Sequence, residues 1–109
     1  MQKNNWLTAL PLNKIQYSID LNDGTKKVGF LRFTKYQQQK HEIIMNNSEN
    51  DIVEIAEIIL NPEPNVIEFT KQQIEESLDI DEIRFLINVW LNKKVINPTL
   101  SQKLDSNFF

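Results

Sequence analysis

His41 is the only histidine of the 109-residue chain, and no cysteine accompanies it. An unperturbed imidazole titrates near neutrality, so acid–base chemistry would fall to His41 or to a carboxylate. His41 stands between Lys40 and Glu42, with no second histidine for a metal and no serine set in a nucleophile motif. It is expected on the surface of a helix or half-buried there. Carboxylates cluster as Glu54 and Glu57, as Glu75 and Glu76, and as Asp79, Asp81 and Glu82. Glu54 and Glu57, three apart, would share a helix face, yet calcium takes roughly six to eight oxygens and no EF-hand loop is written here. A solvated acidic face is the expectation, and Asp79 reads as a helix cap rather than a base. With two glycines in the chain, neither a P-loop nor a dinucleotide fingerprint can be formed. No catalytic residue, cofactor-binding residue, cofactor or metal ligand is assigned, and an enzyme is not expected.

Lys26, Lys27, Arg32, Lys35 and Lys40 interleave with Phe30, Phe33 and Tyr36, a mixture that single-strand nucleic-acid binders use for phosphates and bases. Against this stand a pI near 5.1 and the lack of any helix-turn-helix, zinc-finger or RNA-recognition signature. The three aromatics are expected in the core. Trp6, Phe108 and Phe109 lie in terminal segments poorly suited to bury themselves, where they either fold back on the domain or anchor a partner. The candidate protein-contact residues are therefore Trp6, Lys26, Lys27, Arg32, Lys35, Phe108 and Phe109.

Charge is divided along the chain. Residues 1–48 carry seven Lys/Arg against three acids, and residues 49–109 five against twelve, within a net charge of −3. Such asymmetry lets one half attract the other, or a neighbouring copy. The absence of cysteine permits a reducing compartment. The N-terminus has no signal-peptide pattern and no run approaches the roughly 18 apolar residues of a membrane span, so an intracellular protein without membrane contact is expected.

Several elements are needed to position these residues. Residues 1–13 show no clear period and read as an arm. Ile15, Tyr17, Ile19 and Leu21 alternate with Lys14, Gln16, Ser18 and Asp20, the period of a half-buried strand. Asn22-Asp23-Gly24 then predicts a hairpin turn with Gly24 at positive φ, and residues 25–33 return antiparallel. Val28 and Phe30 fall on one face and Leu31 and Phe33 on the other, which predicts a twist or bulge near Gly29 or cover on both faces. A third short strand can join this hairpin.

Thr34 with Gln37 forms a capping box for a helix to Met45, with Tyr36, Lys40, Ile43 and Ile44 on one side. Ser48 or Asn50 is expected to cap a second helix ending at Leu60, buried through Ile52, Ile55, Ala56 and Ile59. Asn61-Pro62-Glu63-Pro64 breaks the pattern. Thr70 with Gln73 and Asp79 with Glu82 open two more helices, the last running over 80–93 with the stripe Ile83, Leu86, Ile87, Trp90 and Leu91. The expected fold is α+β: an N-terminal antiparallel β-hairpin (14–33) packed against three to four α-helices (34–94), with a tail (95–109), in a single domain.

The order of these parts resembles the small tail-assembly and baseplate-assembly chaperones of tailed bacteriophages. The resemblance covers about residues 14–94 and is carried by Arg32-Phe33-Thr34 before the first helix and Asp79-Ile80-Asp81 opening the last, with Phe85 and Leu86 as packing residues. Lys35 to Gln39 lacks the acidic residues of that pattern. The resemblance implies a non-enzymatic assembly factor or minor tail component that binds other phage tail or baseplate proteins, and itself, in the host cytoplasm or the virion tail. Two other readings stay open: a phage or mobile-element regulator that binds a host protein, and a nucleic-acid-binding accessory domain.

Overall fold

The alternation that begins at Lys14 is the spine of a three-stranded antiparallel sheet. The computed structural model of the chain describes residues 6–47 and 51–95. Strand β1 (Leu7–Leu10) pairs with β2 (Lys14–Asp20), which pairs with β3 (Lys26–Phe30), in the order β1-β2-β3. Four helices follow: α1 (Lys35–Met45), α2 (Ile52–Leu60), α3 (Lys71–Ser77) and α4 (Ile80–Val95). The fold is α+β as expected, with one hydrophobic core. Leu7, Ile15 and Ile19 of the sheet and Ile59, Ile74, Leu86 and Trp90 of the helices each expose no more than 1% of their surface.

Residues 7–10 correct the reading of 1–13 as an arm. Leu7 lies opposite Tyr17 and Ala9 opposite Ile15, so the third strand comes from the N-terminal side. Four residues are too few to display a period. The turn into β2 is a single 3₁₀ turn, Pro11–Asn13, with Leu12 at φ 66° and 87% exposed. At the other turn Gly24 takes φ +88°. Asp23 Oδ1 there accepts from the Thr25 amide at 2.9 Å and the Thr25 hydroxyl at 2.6 Å.

No bulge interrupts β3. Its register runs unbroken from Asp20↔Lys26 to Gln16↔Phe30. Gly29 lies opposite Tyr17, and the Tyr17 ring occupies the place a side chain at 29 would take: a Cβ there would sit 2.5 Å from the phenolic oxygen. Val28 and Phe30 face away from the helices and are half exposed or more, so Phe30 is corrected from core to surface. Leu31 turns inward beyond the strand end and is buried. Phe33 and Tyr36 are half-buried.

The three capping boxes form as read. Thr34 and Gln37 open α1, Thr70 and Gln73 open α3, and Asp79 and Glu82 exchange two 2.8 Å bonds at the start of α4. For α2 the cap is Asp51, whose Oδ1 accepts from the Val53 amide at 2.9 Å. It displaces the expected Ser48 or Asn50 because the carboxylate adjoining the first helical residue is the one that reaches an unpaired N–H. Along α4, Val89 is buried in addition to Ile83, Leu86 and Trp90, while Ile87 and Leu91 are half-buried.

Candidate protein-binding surface

A groove of about 570 Å³ opens between α1, α2 and the loop 61–70. It is built by side chains that satisfy helix ends. An α-helix leaves its last carbonyls without intrahelical donors. Asn61 Nδ2 donates to the Glu57 carbonyl at 2.8 Å and the Phe69 carbonyl at 2.9 Å, and Asn61 Oδ1 accepts from the Glu68 amide at 2.7 Å and the Phe69 amide at 2.9 Å. With its amide fully engaged, Asn61 folds residues 61–69 into a closed loop and buries Phe69. Opposite, the Thr34 hydroxyl donates to the Pro62 carbonyl at 2.8 Å. The start of α1 is thereby tied to the same loop.

Tyr36, Ile43 and Ile44 of α1, Ile58 of α2, and Val66 and Ile67 of the loop supply the apolar lining. Ile43 is 68% exposed and Ile67 77%, so the lining opens to solvent instead of closing into core. Lys40 and Lys71 share the walls with Glu54, Glu57 and Glu63, and the Lys40 ammonium lies 5.7 Å from the Tyr36 ring centre. Tyr36, Lys40, Ile43 and Ile44 do share one side of α1, as their spacing indicates, and that side faces the groove. The buried face instead carries Gln37. A concave apolar surface with both signs of charge around it suits a partner's apolar side chains flanked by polar ones.

The residues singled out from sequence are dispersed. Trp6 is 6% exposed and belongs to the core; of its two alternatives, folding back is the one realised. Its burial follows from β1, since its carbonyl accepts from the Ser18 amide at 2.8 Å and fixes it at the strand's entrance. Lys26 is exposed and 3.7 Å from Asp20. The half-buried Lys27 sends its ammonium to the Glu68 carbonyl and over the Phe69 ring, 4.7 Å from its centre. Arg32 pairs with Glu63 at 2.6 Å. Lys35 is exposed at the first position of α1. Lys27 and Arg32 thus turn toward the acidic half of their own chain. Phe108 and Phe109 lie outside the described residues.

His41 is half-buried with its ring edge-on to Trp90 at 5.4 Å, and Phe33 stacks on Trp90 at 6.1 Å. Among the described residues no three acidic or histidine side chains converge as a metal-binding group, and no helix is long and apolar enough to cross a membrane. Comparison with protein-family models, with curated proteins and with solved structures found no match.

Of the residues that carry the phage-chaperone resemblance, Arg32, Phe33, Thr34 and Asp79 have structural partners here, whereas Ile80 is 55% exposed. The Arg32 carbonyl accepts from Trp90 Nε1 at 3.0 Å, Phe33 stacks on that indole, and Thr34 caps α1 while holding Pro62. Asp79 and Glu82 open α4. Arg32-Phe33-Thr34 is the joint at which the sheet, the loop and α4 meet. Sequence reading missed Gln37 and Asn61 as builders of the groove, and Val66 and Ile67 as part of its lining.

Proposed function

We propose that this chain is a non-enzymatic protein-binding factor that holds a segment of a partner in the groove between α1, α2 and the loop 61–70. The supporting observation is the convergence of Ile43, Val66 and Ile67 on that groove. These large apolar side chains are held at 43–77% exposure by a loop whose backbone is tied to Asn61 and Thr34. A preformed apolar surface of this kind lowers the ordering cost of association. The order of parts and the Arg32-Phe33-Thr34 and Asp79-Ile80-Asp81 phrases support phage tail or baseplate assembly as the setting, with other tail proteins as partners.

The test is affinity capture after co-expression with the products of the neighbouring genes, using the intact chain and the variants Ile43→Asp and Ile67→Asp. Both positions are exposed, so the fold is expected to survive, as circular dichroism would verify. The reading requires that a tail or baseplate component be retained by the parent and lost from both variants. Retention undiminished in both would remove the groove from the account, and capture of a host protein instead would favour the regulator reading.

A further inference from the structure

The outer edge of β3 carries an unused row of hydrogen-bonding groups. The Leu31 amide donates to the Ile15 carbonyl and the Leu21 amide to the Thr25 carbonyl, each at 2.8 Å. These bonds fix the phase of the ladder, so Lys27 and Gly29 point their main-chain groups at β2. Lys26, Val28 and Phe30 point theirs away from it, and none of these groups has a hydrogen-bond partner among the described residues. Proteins commonly guard such edges with short strands, charged side chains, a proline, a bulge or a covering segment. Of these β3 has its five-residue length and Lys26; it has no proline and no bulge, and the side chains of Val28 and Phe30 are 57% and 49% exposed. Beside the edge lies a pit of about 260 Å³ lined by Gly29, Pro62, Glu63, Val66 and Glu68 among others.

We infer that this edge pairs with β3 of a second copy, antiparallel about a two-fold axis through Val28, joining two three-stranded sheets into one. The register follows from charge. Antiparallel pairing must match outward-pointing residues with one another, so the two-fold can lie at Lys26, Lys27, Val28, Gly29 or Phe30. An axis at Lys26 or Lys27 sets a lysine directly against its own copy, which is unfavourable across a strand pair. An axis at Gly29 or Phe30 leaves Lys26 outside the pairing.

Centred on Val28, all three outward residues are used, and each pair exchanges two N–H···O bonds. Val28 meets the second copy's Val28. Lys26 meets the second copy's Phe30, a cation–ring contact like the one Lys14 already makes with Phe30 at 5.5 Å. On the other face the second copy's Lys27 falls opposite Gly29, its ammonium staying with the Glu68 carbonyl and Phe69 ring of its own chain. The groove between α1 and α2 takes no part.

Light scattering over micromolar to millimolar protein should show a monomer–dimer equilibrium. Val28→Pro removes an outward N–H that the monomer does not use, and prolines are tolerated on edge strands. It should raise the dimer Kd by at least about tenfold while leaving the circular dichroism unchanged. Should that variant fail to fold, Phe30→Lys sets two ammonium groups opposite one another and should weaken the dimer comparably. Because the chain has no cysteine, Val28→Cys is a direct reporter. Hydrogen-bonded antiparallel partners have Cα atoms about 5.5 Å apart, within disulfide reach, so mild oxidation should cross-link Val28→Cys and spare Ile80→Cys, whose position at the start of α4 is 55% exposed. A parent chain that stays monomeric throughout overturns the inference. So does a dimer that tolerates both edge variants, a cross-linking rate equal at positions 28 and 80, or an edge that binds an extended peptide but no second copy.

Discussion

The Gln37 side-chain amide donates to the Ile59 carbonyl at 2.9 Å while its oxygen accepts from the Thr34 amide at 2.6 Å. One fully buried side chain therefore serves an unpaired donor at the start of α1 and an unpaired acceptor near the end of α2. Gln37→Leu keeps the approximate volume and leaves both backbone groups buried without partners, so it should cost about 2–4 kcal/mol in urea denaturation. Gln37→Glu is the sharper probe. It retains the acceptor for Thr34 but buries a charge against a carbonyl, so its deficit should shrink at acid pH, where the carboxyl can be protonated and donate. A Gln37→Leu protein within about 0.5 kcal/mol of the parent would mean the two helix ends find other partners.

The two glycines should fail for different reasons. Gly24 sits at φ +88°, and nothing lies within 4 Å of the place a methyl group would take there, so Gly24→Ala should cost about 1 kcal/mol through the backbone alone. Gly24→Val should cost more, and Gly24→Asn should recover part of the loss. Gly29→Ala meets the Tyr17 ring at 2.5–2.7 Å and should cost about 1–3 kcal/mol. Only this second cost should diminish in a Tyr17→Leu background, because the clash is with one side chain. Equal penalties for Gly29→Ala in both backgrounds would show that the ring is not what reserves the space.

How much of this was legible in the sequence depended on how far each residue's partner lies along the chain. Thr34 with Gln37, Thr70 with Gln73 and Asp79 with Glu82 are complete within four residues, so three helix starts could be read directly. The bond from Gln37 to Ile59 spans twenty-two residues and left no local trace, and a buried glutamine was hidden behind the apolar side of α1. Strand β1 was missed because Leu7 and Ala9 alternate over too short a run. Phe30 was misplaced because hydrophobicity alone does not say which face of β3 meets the helices; pairing with Gln16 decides that. The α1 wall of the groove was legible in Tyr36, Lys40, Ile43 and Ile44. Its loop wall was not, since Val66 and Ile67 are positioned only through Asn61.

Trp90 ties α4 both to α1 and to the segment that leads into it from β3. Its indole N–H holds the Arg32 carbonyl, Phe33 stacks on it and His41 meets it edge-on. Trp90→Ala should cost about 3–5 kcal/mol, and Trp90→Phe, which keeps an aromatic surface and loses the donor, about 1–2 kcal/mol. Denaturation of the pair separates packing from the bond to Arg32. A Trp90→Phe variant as unstable as Trp90→Ala would shift the weight from packing to that hydrogen bond.

Tyr17 and Asp23 should bend the pH–stability curve at opposite ends. The Asp23 carboxyl is held below its ordinary range by the Thr25 hydroxyl and then by the Thr25 amide. It therefore stabilises the hairpin above the unfolded carboxylate pKa, and that contribution fades as pH falls through the lowered folded value. Tyr17 is raised above 10.0, chiefly by burial and secondarily by the charge of Glu68. Its proton is held more tightly in the folded chain than in the unfolded one. The associated stability is thus complete below the unfolded pKa of about 10 and is lost as pH rises through the folded value. Urea titrations from neutral to strongly alkaline pH should show a downward limb in the parent that is shallower in Tyr17→Phe, which has no proton to lose there. The difference between the two curves, rather than the parent curve, carries the result. Glu68→Gln should narrow that difference by removing the smaller of the two causes. Parallel curves for the parent and Tyr17→Phe would mean that the Tyr17 hydroxyl is as well solvated against Gly29 and Phe69 as in the unfolded chain.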